Sequence, residues 1–174
     1  MRVVKCLSCG SEVLQKQEFD QRIDRAAGGL ASMGIAAGDC IAILMRNDFR
    51  FLEVSHAAAA LGATAVPVNW HFAKPEVDYV LADCDARALV AHTDLLRSLA
   101  PALPPGCQVI EVDVRDDLAA AYRLPEEMLA PSGTYPLWED WLSGQPRHRA
   151  PVNLVRGSMI YTSGTTGLPK GVRQ

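Results

Sequence analysis

The 174-residue sequence predicts an α/β fold, a layered sandwich in which helices cover both faces of a mostly parallel sheet. Short, continuously apolar runs such as 40–45 and 63–68 are typical of strands that are buried on both faces. Segments with helical periodicity separate these runs, and strands that alternate with helices favour parallel pairing. A chain of this length can bury about two-thirds of its unfolded surface, which is enough for one globular domain.

The first predicted helix covers 19–33, where apolar residues recur at helical spacing. Gly34 is expected to end this helix, because glycine readily adopts the left-handed conformation that follows a helix. The apolar run 40–45 is the next buried strand. An Asn-Asp pair at 47–48 supplies a capping residue for a second helix, which Gly62 stops.

The same alternation continues along the chain, with breaker residues between the segments. In order, the predicted elements are a strand at 63–68, a helix from Pro75 to about Leu81, a strand at 86–91, a short helix capped by Thr93, a strand at 107–112, and weaker helices at 116–123 and 137–142. A segment rich in proline, glycine and arginine, 143–153, is interpreted as a surface linker. It leads into a last strand at 154–162.

A loop with the composition of a phosphate cradle follows this last strand. Its two glycines allow successive backbone N–H groups to turn toward one anion, its hydroxyls are further donors, and its lysine carries a mobile positive charge. The candidate binding residues are Thr162, Ser163, Gly164, Thr165, Thr166, Gly167 and Lys170. The same composition also occurs in ordinary linkers.

The spacing of this loop disfavours a P-loop NTPase. A Walker A loop places lysine directly after its last glycine and a serine or threonine after the lysine. Here Lys170 stands three residues beyond Gly167, and Gly171 follows it. A P-loop NTPase would also release phosphate without needing an acid substrate.

The stretch Tyr-Thr-Ser-Gly-Thr-Thr-Gly-Leu-Pro-Lys-Gly at 161–171 resembles the signature loop of the adenylate-forming superfamily. That superfamily includes acyl-CoA synthetases, luciferases and the adenylation domains of peptide synthetases. Segments 30–47 and 61–69 are similar, in the same order, to the early part of an acyl-CoA synthetase. The run Gly-Ala-Thr-Ala-Val-Pro-Val-Asn-Trp at 62–70 favours that branch over the others.

This resemblance implies a function. Such enzymes activate a carboxylic acid, here expected to be a fatty acid, with ATP to acyl-AMP and pass the acyl group to coenzyme A, with Mg²⁺ accompanying the nucleotide. The matching loop binds the β- and γ-phosphates, so residues 162–167 would wrap them and Lys170 would neutralise charge on the leaving pyrophosphate. The family's main catalytic lysine has no counterpart in the chain.

The resemblance also implies an incomplete domain. Family members run to several hundred residues, so residues 15–174 are interpreted as part of an N-terminal AMP-binding domain. Residues 1–14 are interpreted as an N-terminal tail. This chain alone is expected to be inactive and to self-associate through apolar surface that the missing part would cover. The alternative is a fragment without catalytic activity that binds nucleotide or folds only with a partner.

Composition excludes several other classes of function. The net charge of −3 provides no basic stripe for nucleic acid. The most apolar window, 57–68, is too short to span a bilayer, and no secretory signal is present, so a cytoplasmic location is expected. Cys6 and Cys9 have the spacing of half a zinc site, but without a second pair we predict no metal site and expect reduced, solvent-facing thiols.

Overall fold

A computed structural model of the chain describes residues 6–148, 158–162 and 170–173. The strands are β1 (Cys6–Cys9), β2 (Glu12–Gln15), β3 (Cys40–Leu44), β4 (Thr64–Pro67), β5 (Ala86–His92), β6 (Gln108–Val112), β7 (Met159–Thr162) and β8 (Lys170–Arg173). The α-helices are α1 (Lys16–Ser32), α2 (Phe49–Leu61), α3 (Lys74–Asp83), α4 (Thr93–Leu99), α5 (Asp116–Tyr122) and α6 (Trp138–Ser143). A 3₁₀ turn covers Glu126–Met128.

The central sheet has four parallel strands in the order β4-β3-β5-β6, which confirms the predicted α/β fold. Alternate residues of each strand enter opposite cores. In β3, Ile41 and Ile43 face one core, whereas Ala42 and Leu44 face the other. Helices α1, α2 and α6 form the first core, and α3, α4 and β7 form the second. All four of these β3 residues are inaccessible to solvent, which explains the lack of alternation in their sequence.

The ends of α2 confirm the predicted capping. Asp48 is the N-cap residue, and its side chain accepts a hydrogen bond from the backbone N–H of Arg50. Gly62 ends the helix with a φ of +70°, a conformation that glycine adopts without strain. Thr93 behaves differently from the prediction, because it is the first residue of α4 and its hydroxyl donates to the carbonyl of Val112 instead of capping.

The N-terminal segment also differs from expectation, since residues 6–15 form an antiparallel hairpin where a tail was predicted. Gly10, with a φ of +59°, occupies the tight turn between the two strands. Leu14 is buried beside Phe19 and Phe49, so apolar packing holds the hairpin on the domain. The signal in the sequence was the Gly-Ser pair between two short strand-like runs.

A chain of ion pairs joins the helices of the first core. Glu53 of α2 is fully buried and accepts hydrogen bonds from the Arg22 guanidinium, at 2.6 and 3.1 Å, and from the Trp138 indole at 3.0 Å. Arg22 also donates two bonds to Glu139, which in turn accepts from Arg50. This network ties α1, α2 and α6 together.

Within the described ranges, none of the helices has both the length and the apolar character that crossing a membrane requires.

Candidate functional site

The predicted phosphate loop connects the two strands of a hairpin. β7 and β8 are antiparallel, with Met159, Ile160, Tyr161 and Thr162 opposite Arg173, Val172, Gly171 and Lys170 in that order. The pair Thr162–Lys170 is therefore the last pair before the connection. Of the predicted binding residues, these two are described, whereas Ser163, Gly164, Thr165, Thr166 and Gly167 lie outside the described residues.

The two faces of this hairpin differ in exposure. Met159 and Tyr161 are each 8 % exposed and belong to the second core. Ile160 and Val172, which pair with each other, are 37 % and 52 % exposed. Lys170 lies two residues from Val172, so the two share this outer face, and its side chain is exposed. The lysine ammonium can therefore reach an anion in solution.

The inner face is fixed to α3 through Tyr161. Its hydroxyl donates a hydrogen bond of 2.6 Å to a carboxylate oxygen of Asp83. Burial and this carboxylate raise the pKa of Tyr161 far above its usual value, so the phenol remains protonated and continues to donate. Sequence reasoning did not find this contact, because 78 residues separate the two partners.

A second polar cluster lies at the carboxyl edge of the central sheet. Arg46 follows β3, is 5 % exposed, and forms a two-pronged ion pair with Asp94 in which both N–O distances are 2.9 Å. The guanidinium also stacks on the rings of Trp70 and Tyr122, at 5.0 and 4.8 Å from their centroids. These contacts connect the ends of three strands to α5. The sequence signals were an arginine and an aspartate just after buried strands, and neither was recognised.

His92 and Asp48 complete this cluster. The Nδ1 of His92 accepts a hydrogen bond of 3.3 Å from the backbone N–H of Arg46. Its Nε2 lies 3.9 Å from Asp48, beyond hydrogen-bonding distance. Burial opposes the ionisation of Asp48, but the neighbouring His92 and Arg50 lower its pKa to about 2. Open α/β sheets commonly bind ligands at this edge, and here three buried atoms, Arg46 Nε, Asp48 Oδ2 and His92 Nε2, have no hydrogen-bond partner among the described residues.

The cysteines occupy three different environments. Cys6 is exposed, and Cys9 is partly buried and donates weakly to the carbonyl of Asn47. Cys40 and Cys84 are buried in the second core, where the Cys40 thiol and burial raise the pKa of Cys84. Burial raises the pKa of Cys107 to about 11. Among the described residues, no group of three or more His, Cys, Asp or Glu side chains could hold a metal ion.

Two cavities of similar size lie elsewhere on the domain. One, of about 280 Å³, lies between β1 and the start of α2, and its wall includes Leu7, Phe49 and Leu52. The other, of about 290 Å³, lies beside the end of α4 and includes Leu96 and Tyr135. Neither is lined by a residue of β7 or β8.

Comparison with known proteins gives a consistent result. A family model described as AMP-binding enzyme matches residues 6–173. The chain is 36% identical over 155 residues to the long-chain-fatty-acid–CoA ligase FadD13 of Mycobacterium tuberculosis, covering 86% of this chain and 27% of that protein. It is 33% identical over 166 residues to a feruloyl-CoA synthase of Amycolatopsis, covering 93% and 28%. The chain thus spans little more than a quarter of these relatives.

Solved structures agree with the fold. The anthranilate CoA ligase AuaEII, in complex with anthranoyl-AMP, superposes with a TM-score of 0.75 at 24% identity, over 93% of this chain and 30% of that one. The N-terminal domain of FACL13 from Mycobacterium tuberculosis superposes with a TM-score of 0.65 at 27% identity, over 94% and 37%. The first of these likenesses concerns the fold alone.

Proposed function

The chain belongs to the AMP-binding enzyme family, and from that premise we propose that it forms the N-terminal part of an ATP-dependent acid–CoA ligase. The observation that carries the proposal is the hairpin, in which Thr162 and Lys170 close a glycine- and hydroxyl-rich connection and the lysine side chain is exposed. An exposed ammonium beside such a connection has the chemistry required to bind a polyphosphate.

In the proposed reaction, a carboxylate oxygen of the acid attacks the α-phosphorus of ATP. The bond from this phosphorus to the bridging oxygen breaks, and pyrophosphate leaves with that electron pair. Negative charge grows on the leaving group, so donors and cations that face it lower the barrier. We assign that role to the segment 162–167 and to Lys170. The thiol of coenzyme A then displaces AMP from the acyl group.

Magnesium fits this scheme as a companion of the nucleotide. Mg²⁺ keeps several waters and is usually held by one or two carboxylates plus substrate phosphates, so the chain does not need a dedicated metal cage. When bound, the ion would neutralise charge on the phosphate oxygens.

The nature of the acid and of the acceptor belongs to the proposal as well. We favour a fatty acid because two of the relatives, from Mycobacterium tuberculosis and Thermus thermophilus, are long-chain-fatty-acid–CoA ligases. A similar protein from Streptomyces coelicolor is an L-proline–[L-prolyl-carrier protein] ligase, which makes a carrier protein the competing acceptor. We propose residues 15–174 as the incomplete AMP-binding domain, and the cytoplasmic location stays a prediction.

Calorimetry on the 174-residue chain tests the nucleotide assignment. We expect Mg·ATP and pyrophosphate to bind more tightly than AMP, because the loop is assigned to the β- and γ-phosphates, which AMP lacks. Pyrophosphate should also displace ATP. Equal affinities for ATP and AMP, or no detectable binding of ATP, would contradict the proposal. The non-catalytic alternative would be favoured by a different result: this chain binds ATP, but the complete protein does not catalyse pyrophosphate exchange.

We also propose that this chain self-associates through the outer face of the β7–β8 hairpin. Ile160 and Val172 form an exposed apolar pair, and in the described part of the chain these two strands pair only with each other. An exposed apolar face on a two-stranded sheet with unpaired edges favours association between copies. Light scattering should show a mass that rises with concentration, and Val172→Lys should reduce that rise. A wild-type mass that stays monomeric at high concentration would contradict the idea.

A further inference from the structure

The hydrogen bond between Tyr161 and Asp83 lies beside Lys170, the residue to which the proposed function assigns charge neutralisation on the leaving pyrophosphate. Tyr161 is one residue before Thr162, which pairs with Lys170. Its side chain points to the opposite face of the hairpin and ends in the 2.6 Å hydrogen bond to Asp83, at the last residue of α3. The bond therefore joins the loop end of the hairpin to a helix that packs on the central sheet.

Gly171 holds the Tyr161 ring from the other side. The two residues are partners across the hairpin, and a Cβ at Gly171 would lie 2.9 Å from the ring carbon Cζ and 3.0 Å from the sulfur of Met159. Side chains do not tolerate such approaches, so the ring would have to move. Glycine at this exposed position leaves room for the ring, and a larger residue would displace the ends of the Tyr161 and Met159 side chains. The tyrosine is thus held at its hydroxyl by Asp83, while its ring lies against Gly171 of β8.

Resting on the proposed function, we propose that Tyr161 and Asp83 are positioning residues for Lys170. The anchored tyrosine sets the location of β7, and the register of the hairpin then sets the backbone of Lys170, one residue before Gly171. An ammonium stabilises developing charge well only when it is already in place before the reaction. Neither Tyr161 nor Asp83 needs to touch the nucleotide for this effect.

Tyr79 provides a matched control within the same chain. Its hydroxyl contacts the other carboxylate oxygen of Asp83, at 3.4 Å, but it belongs to α3 and not to the hairpin. Tyr161→Phe and Tyr79→Phe each remove one phenol oxygen beside the same carboxylate. Only the first removes a bond between α3 and β7.

Hydrogen exchange in the 174-residue chain tests the attachment without any nucleotide. Tyr161→Phe should speed amide exchange in β7 and β8 by about tenfold, the factor expected for losing a hydrogen bond to a charged group, whereas Tyr79→Phe should not. Asp83→Ala should act like Tyr161→Phe, and Asp83→Asn, which keeps an acceptor oxygen, should restore most of the protection. Equal exchange in Tyr161→Phe and wild type would overturn the proposal, whatever the protein binds.

Affinity for Mg·ATP tests the positioning itself. Tyr161→Phe should weaken ATP binding by about five- to tenfold, somewhat less than the full loss of a hydrogen bond to a charged group because the bond acts on the ammonium only through the hairpin, and leave AMP binding unchanged. In a Lys170→Ala background the same substitution should change ATP affinity by less than about twofold, because no ammonium is left to position. Faster exchange with unchanged ATP affinity would reduce the bond to a purely structural one and overturn the proposal. If wild type did not distinguish ATP from AMP, the nucleotide assignment would fail, while the exchange result would stand.

Discussion

Replacing Lys170 with alanine in a complete ligase that carries this chain is expected to slow adenylate formation by about 10²–10³-fold, the effect of removing one preorganised donor from an active site. The side chain is exposed on the outer face of the β7–β8 hairpin, and it forms no ion pair with any residue that the structure describes. Within the described ranges, its charge is therefore not committed to holding the fold. Pyrophosphate exchange, driven by the acid substrate, measures the step directly.

Two further variants make this result specific. Lys16 is a suitable control, since it is half exposed and, among the residues that the structure describes, forms an ion pair only with Asp20 one helical turn away. Lys16→Ala should therefore leave the exchange rate unchanged. Lys170→Arg keeps the charge but changes its shape, and should recover part of the activity. A loss below about threefold in Lys170→Ala, which is less than 1 kcal/mol of transition-state stabilisation, would remove Lys170 from the mechanism.

The parts of the fold that were predictable are those specified by neighbours in sequence. Asp48 and Gly62 mark the ends of α2 because a cap and a left-handed turn each involve only a few adjacent residues. The strands of the central sheet were recognisable because burial on both faces leaves little room for polar residues. The N-terminal hairpin was missed because four-residue strands carry a weak periodic signal, although Gly10 marked its turn.

The polar contacts that organise the site could not be predicted in the same way. Tyr161 and Asp83 are 78 residues apart, and Arg46 and Asp94 are 48 apart. Either partner alone has an ordinary surface interpretation, since nothing nearby in sequence shows which side chain it will meet. The candidate phosphate loop could be proposed without the fold because its composition and spacing are unusual. Lys170 was therefore predicted from the sequence, whereas the contact of Tyr161 with Asp83 required the structure.

Removing the buried carboxylate of Glu53 is expected to destabilise the first core. Glu53→Ala should lower the free energy of unfolding by roughly 1–3 kcal/mol, because the buried Trp138 N–H loses its acceptor, while Arg22 keeps its two bonds to Glu139. Glu139 is a suitable comparison, because it also accepts hydrogen bonds from the Arg22 guanidinium but its side chain is 46 % exposed. Glu139→Ala should cost no more than about 1 kcal/mol. Urea unfolding of the 174-residue chain measures both.

The two carboxylates should also respond to pH in opposite directions. Burial raises the pKa of Glu53 although Arg22 donates to it, so folding favours its protonated form and its contribution to stability falls as pH rises above the ordinary glutamate value of 4.5. Burial opposes the ionisation of Glu139 too, but Arg22 and Arg50 lower its pKa overall. The contribution of Glu139 to stability is therefore present above pH 4.5 and is lost as the pH falls below that value. Burial alone would lower the pKa of Arg22, but Glu139 and Glu53 outweigh burial and raise it overall. The Arg22 guanidinium therefore stays charged over the whole pH range in which the two carboxylates titrate. Glu53→Gln should remove the first dependence and preserve the Trp138 bond, with a smaller loss than Glu53→Ala. Equal losses for Glu53→Ala and Glu139→Ala would show that burial does not set the strength of this network.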